Sequence, residues 1–281
     1  MVKLYVAMKE GADELINSST ALLDSQLLLC HVLDVNRSYL FLNREKQLLD
    51  SEYERFKKLV SYRKSGMPLQ YITGYQEFMG LDFKVESGVL IPRCDTEILV
   101  EEAIKILEKI ESPTIADVGC GSGAISVSIA KYVKDSKVYA LDIMDIPLKV
   151  TLENAKLNNV SNKVEVKKSN MLDEILGENI KLDMVISNPP YIKKDVIPTL
   201  MKEVKDFEPI TALDGGEDGL IFYRKITKDA KELLKPNGYL LYEIGHDQAV
   251  EVKDIMVNEG FKDVVVINDL SGLNRVVLGH M

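Results

Sequence analysis

The chain has no tryptophan, only three cysteines and three histidines, and no apolar run long enough to cross a bilayer. Each shortage excludes something. Cys30, Cys94 and Cys120 are odd in number and widely spaced, which suits neither a disulfide framework nor a zinc site, so they are expected to be reduced and mostly small buried fillers. His31, His246 and His280 show no ligand spacing of the H-E-x-x-H kind, and no metal centre is expected. The N-terminal stretch Met1 to Glu10 carries charges in place of a basic segment followed by an apolar one, so the expected address is the cytoplasm, with no membrane partner. A basic excess is missing too. The net charge of −9 disfavours nonspecific wrapping of a polyanion, which draws most of its free energy from Lys and Arg on phosphates. Residues 1 to 80 hold ten Lys/Arg and ten Asp/Glu, so the acidic surplus lies in the remainder. Within the neutral part, Arg55, Lys57, Lys58, Arg63 and Lys64 read first as a solvated helix face and second as a surface for an acidic or RNA-bearing partner.

What is present is 281 residues with 46% hydrophobic content, enough for one large or two medium domains. Residues 1–70 read as a small helical domain. Leu22, Leu23, Gln26, Leu27 and Cys30 recur at three-and-four spacing after a Ser18-Ser19-Thr20 cap, and Ser51 with Glu54 fits a capping box before Phe56, Leu59 and Val60. Gly66-Met67-Pro68 stops that helix. Residues 71–92 alternate with aromatics around Gly80 and Gly88 and predict a β-hairpin linker. Residues 93–281 alternate strand and helix, which predicts an α/β domain with a mostly parallel, Rossmann-like sheet covered on both faces. Expected strands lie at Thr114 to Val118, Val138 to Leu141, Val164 to Val166, Met184 to Ser187 and Tyr239 to Ile244. Two more, Val264 to Ile267 and Arg275 to Leu278, are close enough to pair antiparallel. A helix is expected over about 217–235.

Two loops carry chemistry. Asp117-Val118-Gly119-Cys120-Gly121-Ser122-Gly123 joins a strand to an apolar helix, where close-set glycines let the backbone approach a ligand. The third glycine comes one residue early for a dinucleotide fingerprint, and no Lys follows as a Walker loop requires. Asp142, ending the next strand, is placed to accept from a ribose diol. Asn188-Pro189-Pro190-Tyr191 follows the buried run Met184 to Ser187. The Asn oxygen and a neighbouring carbonyl can hold both hydrogens of a planar NH2 group, with Tyr191 against its flat face. That clamp suits an amide or an aromatic amine.

The ordered set D-x-G-x-G-x-G, an acid after the second strand and N-P-P-Y after the fourth resembles a class I S-adenosylmethionine-dependent methyltransferase. Further motifs, Gln70-Tyr71-Ile72-x-Gly74, Ile91-Pro92-Arg93 with Thr96-Glu97, Phe207-Glu208-Pro209, Ala212-Leu213-Asp214-Gly215-Gly216-x-Asp218-Gly219-Leu220 and Glu243-Ile244-Gly245, resemble the HemK/PrmC family over about residues 68 to 281. The resemblance implies an enzyme that methylates the side-chain amide nitrogen (N5) of a glutamine in class 1 peptide chain release factors, leaving S-adenosylhomocysteine. It implies cofactor contacts at Asp117, Gly119, Cys120, Gly121, Ser122, Gly123, Asp142, Asn170, Met171 and Asn188. Substrate contacts are implied at Asn188, Pro189, Pro190 and Tyr191, with Asn188, Pro189 and Tyr191 catalytic. Three positions depart from the family pattern: Cys94 stands where Pro is usual, Cys120 where Thr is usual, and Ser169-Asn170-Met171 lacks the acid often found after strand three. The Asn170 side-chain oxygen is the expected replacement as acceptor for the adenine amine. A monomer without a nucleic-acid substrate is expected. The same clamp would fit a nucleic-acid exocyclic amine, and a relative acting on a ribosomal-protein glutamine shares the catalytic motifs.

Overall fold

A computed structural model of the chain describes residues 2–281, which form two compact units, 2–74 with Met201–Phe207, and Tyr75–Leu200 with Glu208–Met281. Among the described residues no helix is long and apolar enough to cross a membrane.

The smaller unit contains α1 (Leu4–Glu14), α2 (Ala21–Leu33), α3 (Arg37–Leu42), α4 (Asp50–Lys64) and α5 (Leu69–Thr73) around Leu4, Leu28, Leu29, Leu40, Phe56 and Val60. The buried face of α2 differs from the expected stripe. Leu22 and Leu23 are exposed and Leu27 is half-buried, whereas Gln26 and Cys30 are buried as expected, and Asp24, Ser25, Leu28, Leu29 and Val32 also turn inward. The leucines of this helix surround its axis, so their spacing alone does not choose a face, and the polar residues decide it. Asp24 accepts from the Arg63 Nε at 2.7 Å, and the Ser25 hydroxyl donates to the Met8 carbonyl at 2.8 Å. Both bonds satisfy groups that would otherwise be buried unpaired. The caps differ as well. The Thr20 hydroxyl donates forward to Asp24 at 2.8 Å, and α4 begins at Asp50 with Glu52, not Glu54, accepting from the Leu49 N–H at 2.7 Å. The segment Met201–Phe207, which carries α10 (Lys202–Lys205), belongs to this unit, and Glu203 gives Arg63 a second carboxylate at 2.8 Å.

The larger unit starts with a hairpin, β1 (Tyr75–Phe78) and β2 (Leu81–Lys84), closed by Met79 and Gly80, both at positive φ, as a tight two-residue hairpin turn requires. After α6 (Cys94–Leu107) come β3 (Thr114–Val118), α7 (Ala124–Tyr132), β4 (Lys137–Asp142), α8 (Asp145–Leu157), β5 (Val164–Lys168), α9 (Asp173–Leu176) and β6 (Leu182–Ser187). The chain closes with α11 (Ile221–Leu233), β7 (Leu234–Glu243), α12 (Ala249–Asn258), β8 (Lys262–Asn268) and β9 (Asn274–His280). The sheet order is β5-β4-β3-β6-β7-β9-β8, parallel except for β9, which inserts antiparallel between β7 and β8. Every residue of β6 is buried, because helices cover both faces of a parallel sheet.

From β3 the chain moves outward through β4 to β5, then returns to place β6 on the other side of β3. Such a reversal opens a crevice beyond the carboxyl ends of the strands, the usual ligand position in an open α/β sheet. Asn154 on α8 holds the hairpin and the glycine loop together: its amide donates to the carbonyls of Lys84 and Ser122 at 2.9 and 2.8 Å and accepts from the Lys84 N–H at 2.7 Å.

Candidate active site

An open cleft of about 790 Å³, counting the solvent space at its mouth, lies at that crevice. Four consecutive strand ends contribute to it: Gly119 and Gly121 after β3, Asp142 at the tip of β4, Ser169, Asn170 and Met171 after β5, and Asn188, Pro189 and Pro190 after β6. These sequence-predicted residues come together. Asp117, Cys120, Ser122, Gly123 and Tyr191 do not line the cleft.

The glycines have separate duties. Gly119, Gly121 and Gly123 are all at positive φ. A Cβ built on Gly119 would meet no atom within 4 Å, so the loop leaves room on its cleft side for a ligand. A Cβ on Gly123 would lie 2.9 Å from the Thr151 side chain, so that glycine lets the loop pack on α8. Asp117 serves the scaffold: it is fully buried, and its Oδ2 accepts from the Ser126 N–H at 3.0 Å and from the Ser126 hydroxyl, satisfying a free donor in the first turn of α7. Its Oδ1 has no partner, and burial pushes the carboxyl pKa up to about 7. Cys120 is buried beside Thr151, and burial pushes its thiol well above the usual range. Such a thiol is inert.

Asp142 faces the cleft with both oxygens anchored. Oδ2 accepts from the Gly121 N–H at 3.1 Å and Oδ1 from the Met144 N–H at 3.0 Å. Burial raises its pKa, and these backbone donors oppose the rise by favouring the charged form. Each carboxylate oxygen keeps a further lone pair for a ligand hydroxyl. Asn170 is exposed at the cleft, and its Nδ2 donates to Asp173 at 3.0 Å. The amide orientation is thereby set, with Oδ1 left as an acceptor.

Asn188 begins the turn after β6. Its Nδ2 donates to the hydroxyl of buried Thr96 at 3.2 Å, while the preceding Ser187 hydroxyl ties β6 to β3 through the Val118 carbonyl at 2.6 Å. Tyr191 turns away from the cleft. Its hydroxyl donates to Glu243 Oε1 at 3.4 Å, and burial raises its pKa far above the usual phenol value. Its backbone is clamped as well: the Gln248 amide donates to the Tyr191 and Gly219 carbonyls at 3.0 and 3.2 Å, and the Ile192 N–H donates to the Leu213 carbonyl at 3.0 Å. The glycine-rich loop therefore braces the Asn-Pro-Pro turn, and the same loop puts Ala212 on the cleft wall.

Sequence reasoning missed part of the wall. Gly88, Val89 and Leu90, from the connection between β2 and α6, line the cleft, as do Phe222 and Ile226 of α11. Gly88 carried a turn signal, but nothing local marked it as cleft-lining. Thr96 and Glu243 stood in motifs without a role, and their link to Asn188 and Tyr191 appears only once the sheet places β7 beside β6.

Residues 7–74 match the model of the PrmC N-terminal domain, and residues 95–204 that of the methyltransferase small domain. The release factor glutamine methyltransferase of Clostridium acetobutylicum is 45% identical over 278 residues, covering 99% of this chain and 96% of that protein. The chain belongs to the release factor glutamine methyltransferase family. The Clostridium botulinum member is 44% identical over 255 residues, covering 91% of this chain and 90% of its own. Among solved structures, a methyltransferase from Pyrococcus furiosus superposes with a TM-score of 0.52 at 18% identity over 72% of this chain and 89% of that one, which speaks for the fold alone. The α/β unit thus has the class I methyltransferase fold, with the antiparallel strand near its edge.

Proposed function

We propose that the chain transfers a methyl group from S-adenosylmethionine to the N5 amide nitrogen of a glutamine in class 1 peptide chain release factors. The observation that carries this reading is one cleft in which Asn188, Pro189 and Pro190 stand with the open glycine loop and Asp142. The residues fit the cofactor: Gly119 leaves space for a close approach, Asp142 offers anchored carboxylate oxygens to a ribose diol, and Asn170 offers its oxygen to the adenine amine. Bound there, S-adenosylmethionine supplies a methyl group already activated on a sulfonium, so neither a metal nor a covalent enzyme intermediate is needed.

The chain's own residues have to overcome the poor nucleophilicity of an amide nitrogen, whose lone pair is delocalised into its carbonyl. Asn188 Oδ1 and the Pro189 carbonyl accept the two hydrogens of the glutamine NH2, which raises electron density on nitrogen and fixes its direction of attack. Proline offers only an acceptor at this position, so no competing donor faces the NH2. Positioning of this kind supplies several kcal/mol, up to about 7–11 where alignment is complete. The hydrogens gain acidity as the nitrogen is methylated, so these acceptor bonds strengthen in the transition state, where they accelerate the step, and one of the two hydrogens then leaves as a proton to solvent, giving the neutral N-methyl amide. We assign Tyr191 to bracing the turn through Glu243 and Gln248 and not to stacking on the amide, because its ring is absent from the cleft wall.

The test is competitive labelling: the chain is incubated with methyl-labelled donor and a mixture of purified release factor, ribosomal proteins and RNA. Label on release factor, lost when its glutamine is replaced by glutamate, is the expected result. Label on a ribosomal protein or on RNA in its place overturns the reading.

A further inference from the structure

An asparagine amide serves as an acceptor only if its oxygen, not its nitrogen, faces the substrate. The two ends have nearly the same shape, so rotation by half a turn costs little unless neighbours discriminate between them. If the nitrogen faced the glutamine NH2, two sets of donors would oppose each other. What surrounds Asn188 therefore bears on turnover as much as Asn188 itself.

Thr96, in the first turn of α6, is 5% exposed, and its Oγ1 accepts from Asn188 Nδ2 at 3.2 Å. A hydroxyl has one proton and two lone pairs. Glu243, the last residue of β7, is 2% exposed, and its Oε2 has no hydrogen-bond partner. Burial pushes its carboxyl up to about 7, and the Thr96 hydroxyl is the foremost group opposing that rise, followed by the Arg275 guanidinium. Because Asn188 Nδ2 already donates to a lone pair of the Thr96 oxygen, the single Thr96 proton is left for another side, where the buried Glu243 carboxylate favours it. A lone pair takes the NH2 end of the amide and rejects the oxygen end.

We propose that Thr96, backed by Glu243, is a positioning residue that fixes the side-chain amide of Asn188 with its oxygen presented to the substrate NH2. This rests on the glutamine-amide reading above. Neither Thr96 nor Glu243 lines the cleft, so the effect passes through Asn188. The arrangement also ties Tyr191 to the clamp, since its hydroxyl bonds the same carboxylate.

The experiment uses the full chain, release factor and saturating methyl donor, on the alkaline side of the Glu243 titration. Thr96→Val keeps the shape and removes the hydroxyl; Thr96→Ser restores it. The expected result is a fall in kcat of roughly 10- to 100-fold for Thr96→Val, with the donor Kd and the thermal midpoint near wild type, and recovery to within about threefold for Thr96→Ser. Thr96→Ala carries the same test if the valine variant does not fold. Full kcat in Thr96→Val, an equal loss in Thr96→Ser, or a loss seen only in donor affinity overturns the proposal. Failure of the wild-type chain to methylate release factor overturns the functional reading itself, and this inference with it.

Discussion

Replacing Asp142 by Ala separates cofactor binding from chemistry. Both carboxylate oxygens are engaged by backbone donors, Gly121 at 3.1 Å and Met144 at 3.0 Å, so the group is held in one orientation before any ligand arrives. A hydrogen bond to a charged group contributes about 1.5–3 kcal/mol. Two such bonds from a ribose diol come to about 3–6 kcal/mol, part of which water recovers when the side chain is removed. A loss of about 3–4 kcal/mol remains, which at 1.4 kcal/mol per decade is roughly a 10²–10³-fold rise in the donor Kd. With Asp142 on the adenosine end, as proposed, kcat at saturating donor should fall by less than about fivefold. Asp142→Asn keeps one acceptor and should raise Kd by only about tenfold. Titration calorimetry with S-adenosylhomocysteine gives Kd, and single-turnover methylation gives the chemical step. A variant with unchanged Kd and collapsed kcat would refute the assignment, since it would place the carboxylate at the reacting centre.

Asn188→Ala should do the reverse, lowering kcat by roughly 10²–10³-fold, as removal of an electrostatic stabiliser usually does, with the donor Kd within about twofold; equal loss of both would mean that Asn188 holds the cofactor. Gly119→Ala and Gly123→Ala should differ, although both force a side chain to positive φ. Each should cost about 1–3 kcal/mol in strain, but Gly123→Ala adds the 2.9 Å clash with Thr151 and should lower the thermal midpoint further, whereas Gly119→Ala should chiefly weaken donor binding. Asp117→Asn tests the buried carboxyl. In the folded chain Asp117 keeps its proton up to about pH 7, while the unfolded chain releases it near the usual 3.8, so the stability it contributes is present at low pH and lost as pH rises toward 7. The cost of Asp117→Asn, measured by denaturant melts, should therefore shrink by about 1–4 kcal/mol between mildly acidic and mildly alkaline buffer; a constant difference would show that Asp117 is ionised throughout.

The parts of the site that were legible in sequence are those where a strand end and its loop adjoin. The glycine loop, Asp142 and Asn188-Pro189-Pro190 each follow an apolar run, and a parallel sheet brings the ends of such runs to one edge. Tyr191 shows the limit of that logic. It adjoins the clamp in sequence, but the chain after two prolines turns its hydroxyl to Glu243, a residue more than fifty positions later on the neighbouring strand. Thr96 and Gly88 enter from elements that precede the sheet, and their distance from Asn188 is set by tertiary packing alone. In the helical unit, leucines spread around α2 left the buried face undetermined until the Asp24–Arg63 pair fixed it. Periodicity reports a face only when the opposite side is polar.

Under the proposed function, Asn188 and Pro189 hold a glutamine NH2 in line with a sulfonium methyl. Fragmentation mass spectrometry of release factor after incubation with the chain and methyl donor tests it most directly. One added methyl group is expected, located on the side-chain amide nitrogen of a single glutamine and absent with Asn188→Ala. A methyl group found on a carboxylate, a lysine or a nucleotide, or one that persists undiminished in the Asn188→Ala variant, would contradict it.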